Sequence, residues 1–124
     1  MEFSLVVGLF VFVLYGLIAF GMVLATQQRV TNAAAEAARS TVGVADATAA
    51  ATRATDRVES ILGAPDGRYT VTAAPSVPAC GAPAECITVT VTWDYENHPV
   101  VPPAPGLGLV MPDSFGSTAT VQFK

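Results

Sequence analysis

Basic residues are scarce in this chain of 124 residues, which has 6 Lys and Arg against 10 Asp and Glu. Nucleic-acid binding requires clustered cations that neutralise phosphates. The arginines here are instead spread out among acidic residues between positions 29 and 68, as on a solvated or ion-paired helix surface. This spacing and the net charge of −4 argue against contact with nucleic acid.

Residues suited to catalysis are equally few. The chain has one histidine, His98, and it contains no nucleophile elbow, P-loop, dinucleotide-binding fingerprint or His-Glu zinc helix. A Ser-His-Asp arrangement would have to use His98, which precedes a proline in an apolar segment. We therefore expect a protein that is not an enzyme and that has neither catalytic nor cofactor-binding residues.

Asp94, Glu96 and His98 are the best candidates for metal ligands, because they would share one face of an extended chain. Oxygen ligands at that spacing suit a hard cation. The same pattern is common at the polar end of a strand, however, and we predict no metal site.

The two cysteines, Cys80 and Cys86, stand on either side of a segment that contains glycine and proline. A pair this close in sequence reaches disulfide geometry easily. Zinc is the competing ligand, but it would need further Cys or His residues, and His98 is the only candidate. A disulfide would place this part of the chain in the periplasm, the cell wall or outside the cell.

What the chain does have is an unbroken apolar run, residues 3–25, with Glu2 directly in front of it. At about 1.5 Å per residue, a helix of this length spans the roughly 30 Å hydrocarbon core of a bilayer. A cleavable signal peptide has a shorter apolar core, basic residues before it and a small-x-small site after it. None of these features occurs here, so we expect residues 1–25 to lie in a membrane or in the core of a filament.

The arginines beyond this run conflict with export of the part of the chain that contains the cysteines. The positive-inside rule would place Arg29 and Arg39 in the cytoplasm, and the cysteines with them on the reducing side. We expect that a basic leader, removed upstream of Met1, resolves this conflict.

The helical pattern continues through residues 26–62, which lack proline and are rich in alanine. Gly63 and Pro65 then form a stop signal, because glycine accepts a left-handed C-cap and proline cannot continue the helix. We predict a continuous or once-bent helix, about 90 Å long, from Glu2 to Leu62.

The weak point of this long helix is residues 40–45, where β-branched residues surround Gly43. We expect a kink or a short break there, with Asp46 capping the next helical segment. Beyond it, a narrow apolar stripe at helical spacing needs a cover. Its residues are Ala54, Val58, Ile61 and Leu62.

Three short segments, 69–73, 87–93 and 118–123, alternate between apolar residues and mostly threonine. This period of two, with its β-branched residues, predicts half-buried antiparallel strands that cover the stripe. The predicted fold class is α+β: a long N-terminal hydrophobic helix as a stem, and a small three-stranded antiparallel sheet as the head, residues 63–124.

Residues 98–112 form a segment that is too rich in proline for a strand and too apolar for a loop that is simply exposed to solvent. It can fold over the open edge of the sheet, or it can be a contact surface for a neighbouring subunit. The two roles are compatible, and both stay open.

Glu2 also has two interpretations. Its carboxylate can stabilise the helix N-terminus through the helix dipole. Alternatively, it is an assembly residue whose charge is met by the terminal amine of an adjacent subunit. An unpaired carboxylate would cost about 2.5 to 3.5 kcal/mol near a bilayer centre.

Small residues suggest that the stem packs against copies of itself. Gly21 and Ala25 form a small-xxx-small pair, and the alanines of residues 33–38 continue a low-profile surface. Small side chains let helix backbones approach closely. Helix propensity explains the alanines equally well.

Three short motifs stand near the N-terminus: the Glu-Phe opening at Glu2 and Phe3, the Phe-Gly pair at Phe20 and Gly21, and the Thr-Asn-Ala-Ala continuation from Thr31. In combination they resemble the TadE family, which belongs to the Tad (tight adherence, Flp-type) branch of type IV pilus systems. The remainder resembles the family in layout, with a Thr/Val strand, a Pro/Leu/Gly loop and a terminal Thr-Ala strand.

The resemblance implies a pilin or minor pilin, made as a prepilin and held in the bacterial inner membrane until it enters a surface filament that serves adhesion. Its partners would be further copies or other pilins, the prepilin peptidase and the assembly platform. We assign assembly roles to Glu2, Phe3, Gly21 and Ala25. The alternative is a single-pass, membrane-anchored envelope protein with a small extracytoplasmic binding head.

Overall fold

The computed structural model describes residues 1–76, 80–81, 84–100, 109 and 111–124. Its fold class is α+β, with a long N-terminal apolar helix and a three-stranded antiparallel sheet, as predicted. The elements in chain order are α1 (Glu2–Ser40), α2 (Ala47–Leu62), β1 (Tyr69–Ser76), β2 (Cys86–Asp94) and β3 (Ser114–Gln122).

The first helix ends where hydroxyl side chains compete for its last carbonyl groups. Ser40 Oγ donates to the Ala37 carbonyl and Thr41 Oγ1 donates to the Ala38 carbonyl, both at 2.7 Å. Gly43 then adopts a φ of +81°, which favours glycine. Asp46 accepts a hydrogen bond from the Ala49 backbone N–H at 3.2 Å and so begins α2 as its N-cap.

The chain reverses direction between α1 and α2, so the prediction of a continuous or once-bent helix to Leu62 was wrong. Arg57 on α2 forms an ion pair with Glu36 on α1 at 3.0 Å. These residues would be roughly 31 Å apart along one straight helix. The two helices instead lie antiparallel, and only α1 contributes to the stem.

Alanine explains why the two helices can lie so close. The facing surfaces consist of small residues that are fully or almost fully buried, and larger side chains would hold the backbones apart. These residues are Ala33, Ala34, Ala37 and Ala38 on α1, with Ala50, Ala54 and Val58 on α2.

The sheet has the strand order β1-β2-β3 and covers the helix pair with one apolar face. Ile87, Val89 and Val91 of the central strand are fully buried in this face. The opposite face carries threonines, and their hydroxyl groups pair across the strands: Thr88 with Thr120 at 3.0 Å and Thr90 with Thr118 at 3.1 Å. This alternation is the period-two pattern of the sequence.

The sheet runs alongside the upper part of α1. At one end, the Gly43 backbone N–H donates to the Phe123 carbonyl at 3.3 Å, next to the chain reversal. At the other end, Trp93 and His98 line a cavity together with Thr26 and Arg29 of α1. The head is therefore a two-layer unit built around the upper part of α1, and its core reaches down α1 to Ala19. The rest of α1 extends from it as the stem.

A disulfide joins Cys80 to Cys86, with their Cα atoms 6.1 Å apart, and the cysteines hold no zinc-type ligand set among the described residues. Cys86 begins β2 and pairs with Gln122 across the sheet. The disulfide thus lies at the end of the head that is away from the stem.

The proline-rich segment falls largely outside the described residues, so neither of its two predicted roles is tested there. At its described ends, Val100 and Met111 are partly buried and pack against the core.

Candidate assembly surface

The lower part of α1 exposes large apolar side chains around its whole circumference. Phe3 is 81% exposed, Phe10 66% and Leu17 67%. Soluble monomeric proteins rarely expose an apolar surface of this extent. The helix is long and apolar enough to span a membrane, so this surface is suited to lipid or to neighbouring apolar helices.

One face of α1 is covered by the rest of the protein, and this face extends down into the apolar run. Its buried residues recur at helical spacing and are Ala19, Val23, Val30, Ala33 and Ala37. Gly21 and Ala25 lie about 200° and 240° around the helix from Ala19, at 3.6 residues per turn. The small-xxx-small pair is therefore on the face that points away from the head.

The surface at Gly21 and Ala25 is open. Both residues are exposed, and a Cβ built on Gly21 would meet no atom within 4 Å. A second helix could approach this position closely without rearrangement of the head.

The upper alanines do not contribute to this open surface. Ala33, Ala34 and Ala37 are fully buried against α2 and the sheet within the same chain. The prediction that they continue a packing surface for other copies was therefore wrong. Their small size serves the helix pair inside the head.

Glu2 lies in the first turn of α1, where the partial positive charge of the helix N-terminus favours a carboxylate. Glu2 and Phe3 are both exposed, and the Glu2 carboxylate has no hydrogen bond or ion pair within the described part of the chain. The dipole interpretation needs no second subunit. The assembly interpretation stays a prediction.

The segment Asp94, Glu96 and His98 folds as a turn. The Asp94 carboxylate accepts hydrogen bonds from the Asn97 side chain at 2.7 Å and from its backbone N–H at 3.3 Å. These bonds lower the pKa of the Asp94 carboxyl. Within the described ranges, no three His, Cys, Asp or Glu side chains are grouped so as to hold a metal ion.

Sequence reasoning missed a cavity at the end of the head that faces the stem, which we name the basal cavity. It has a volume of about 380 Å³ and its lining residues are Thr26, Arg29, Leu62, Arg68, Trp93, His98, Pro99 and Val100. They come from α1, α2, the residue before β1, the end of β2 and the turn after it. Only the folded arrangement brings them together.

Comparison with known proteins gives a match that is confined to α1. Residues 1–39 match the family model described as TadE-like protein. No curated protein and no solved structure matches the chain. Since α1 runs from Glu2 to Ser40, the matched segment includes all of the stem but none of the sheet, and residues 1–39 are the TadE-like part of this chain.

Proposed function

We propose that this protein is a structural subunit, a pilin or minor pilin, of a Tad-type pilus and that it assembles through α1. The observation that carries the proposal is the TadE-like match over residues 1–39, which suggests association with a Tad pilus. The match coincides with the helix whose apolar surface the described part of the protein leaves uncovered. A subunit that passes from membrane to filament needs such a surface.

The geometry of α1 supports helix-to-helix packing. The head covers the face that contains Ala19 and Val23, while Gly21 and Ala25 are exposed on the other side. Neighbouring stems can therefore approach this side at the level of Gly21 while the heads stay outside the bundle. The partners in this proposal are copies of the chain or other pilins, with the prepilin peptidase and assembly platform acting before them.

Glu2 has a defined role in this proposal. A carboxylate inside an apolar bundle is costly unless a positive charge meets it. The terminal amine of the adjacent subunit supplies that charge and sets the axial register between stems. Before assembly, α1 holds the subunit in the inner membrane, and in the surface filament the disulfide-bonded end of the head faces outward. We propose no enzymatic activity.

The test is incorporation of Glu2→Ala into surface fibres. Cells that produce the variant are sheared, and the chain is quantified in the fibre fraction and in the membrane fraction. We expect the fibre fraction to lose the variant while its membrane level is unchanged, because only assembly requires the charge pair. Glu59→Ala, which removes an exposed carboxylate of α2, is the matched control and should be incorporated normally.

Two outcomes contradict the proposal. Normal incorporation of Glu2→Ala would remove the role of the carboxylate. Absence of the unaltered chain from every fibre preparation, with all of it in the membrane, would favour a single-pass envelope protein with a binding head.

A further inference from the structure

The basal cavity combines cationic groups with an apolar wall. Arg29 and Arg68 supply positive charge, and none of the described residues that line the cavity is Asp or Glu. Leu62, Trp93 and Val100 supply apolar surface. This pairing suits a ligand that has an anionic group next to a hydrocarbon portion.

The two arginine side chains differ in their contacts within the protein. Arg68 donates to the Ala64 carbonyl at 3.2 Å and lies 3.5 Å from the exposed Asp66 carboxylate. The Arg29 side chain makes no hydrogen bond or ion pair with the part of the chain that the structure describes. Its guanidinium is free to bind an anion bidentately.

His98 is a third polar group of the lining. Its Nδ1 atom is buried and has no hydrogen-bond partner among the described residues. Buried polar atoms are nearly always paired, directly or through water. Because this atom is buried, a ligand in the cavity does not reach it, and the two arginines supply the charged contacts.

The position of the cavity along α1 matches the edge of a bilayer that the apolar run spans. When the apolar run of α1 spans a membrane, Thr26 lies directly past its end and Arg29 about 39 Å from Phe3 along the helix. A hydrocarbon core of roughly 30 Å with one headgroup layer reaches this level. Trp93, on the cavity wall, is of the type enriched at membrane interfaces.

We propose that the basal cavity binds the phosphate group of an anionic phospholipid from the leaflet next to the head. Arg29 and Arg68 hold the phosphate, and Leu62, Trp93 and Val100 contact the glycerol and the first methylenes of the acyl chains. The lipid fixes the head against the membrane surface before assembly. This inference rests only on insertion of α1 into a membrane and goes beyond the pilus role.

The experiment uses Trp93, the only tryptophan of the chain, as a contact reporter. The full chain is reconstituted into phosphatidylcholine vesicles in which one lipid, either phosphatidylglycerol or phosphatidylcholine at the same mole fraction, is brominated near the glycerol. Bromine quenches tryptophan only in contact. We expect brominated phosphatidylglycerol to quench Trp93 several-fold more effectively than brominated phosphatidylcholine.

The variant that tests the site is Arg29→Gln, because the Arg29 side chain makes no hydrogen bond or ion pair within the described ranges that the fold would lose. We expect its preference for phosphatidylglycerol to fall roughly fivefold, the contribution of one arginine at an anionic surface. The matched control is Arg39→Gln on the same helix, about 15 Å further from the membrane and thus beyond the screening length in physiological salt. It should keep the preference of the unaltered chain.

Three results would overturn the inference. One is equal quenching by the two brominated lipids, and another is an equal loss of preference in Arg29→Gln and Arg39→Gln. The third is a change of Trp93 emission by millimolar inorganic phosphate in pure phosphatidylcholine vesicles, which would make free phosphate the ligand. None of them bears on fibre incorporation, so this inference and the pilus proposal fail separately.

Discussion

Tyr69 connects three parts of the head. Its hydroxyl donates a hydrogen bond to the carbonyl of Gly63, the residue that ends α2. Its ring is 3% exposed and stacks on Trp93 with the ring centroids 6.2 Å apart. Trp93 in turn stacks on Phe115 at 6.4 Å. One side chain thus ties the end of α2 to a row of aromatic residues that crosses all three strands.

Removal of this hydroxyl in Tyr69→Phe should lower the free energy of unfolding by about 1 kcal/mol. The ring and its stacking are kept, so the loss isolates the hydrogen bond to Gly63. Urea unfolding of the protein in detergent, followed by Trp93 fluorescence, measures it. Tyr95→Phe is the control, because its ring also packs against Phe115 while its hydroxyl has no partner within the described structure.

Ionisation of Tyr69 is expected to make the stability of the fold depend on pH in the alkaline range. Burial, and next the charge of Glu59, raise the pKa of Tyr69 above its usual 10.0. A raised pKa in the folded state means that the neutral hydroxyl stabilises the fold fully below pH 10.0 and that this contribution is lost as pH rises through the folded pKa. Tyr69→Phe should lack that part of the alkaline loss. An identical alkaline loss in both proteins would contradict it.

At the scale of elements, the sequence predicts where the helix can break better than it predicts the direction of the chain after the break. Gly43 and the cap Asp46 mark the end of one helix and the start of the next. The direction taken between them depends on which surfaces meet. A helix face made of alanines has the same sequence pattern whether it packs on a second helix of the same chain or on another molecule. The predicted single helix and the observed helix pair are therefore both consistent with this sequence.

Strand boundaries show a similar limit. The third strand begins at Ser114 rather than near 118, because Gly116 continues the pairing opposite Thr92. A Cβ at position 116 would lie 2.7 Å from the Val91 carbonyl oxygen, so glycine is required by close approach in the sheet. An isolated glycine lowers the expectation of a regular strand, because it also occurs in bulges and turns. The contact that explains it exists only after the strands pair.

The basal cavity was the least predictable feature. Arg29 and Arg68 look like ordinary surface arginines in the sequence, and Trp93 looks like the end of a strand. They share a cavity only because α2 returns along α1 and brings the following strand back to the level of Thr26. The reversal that the sequence did not predict therefore creates the site.

The helix pair itself can be tested by size. Ala54 is fully buried at the contact between α2 and α1, so Ala54→Leu should destabilise the protein by roughly 1–3 kcal/mol through overpacking. Ala49→Leu makes the same change on the exposed side of the same helix and should have almost no effect. Thermal unfolding by circular dichroism measures both. Equal stability of the two variants would contradict packing of α2 on α1.

At the scale of the whole molecule, the stem and the head differ in whether the chain itself buries their apolar surface. The head buries its own core, with both helices, the sheet and the disulfide in one unit. The stem keeps its apolar surface for an environment that the chain does not supply. The family match lies on α1, which contains the whole stem.

This division predicts that a shortened chain, residues 19–124, is soluble and monomeric without detergent. It loses the most exposed apolar side chains, such as Phe3 and Phe10, and keeps Ala19 and Val23 in the core. Light scattering in plain buffer gives its mass, and Trp93 emission compared with that of the full chain in detergent reports whether the head is intact. The full chain should require detergent or form large assemblies. If the shortened chain formed assemblies with native Trp93 emission, the association surface would lie on the head, and α1 would be an anchor only.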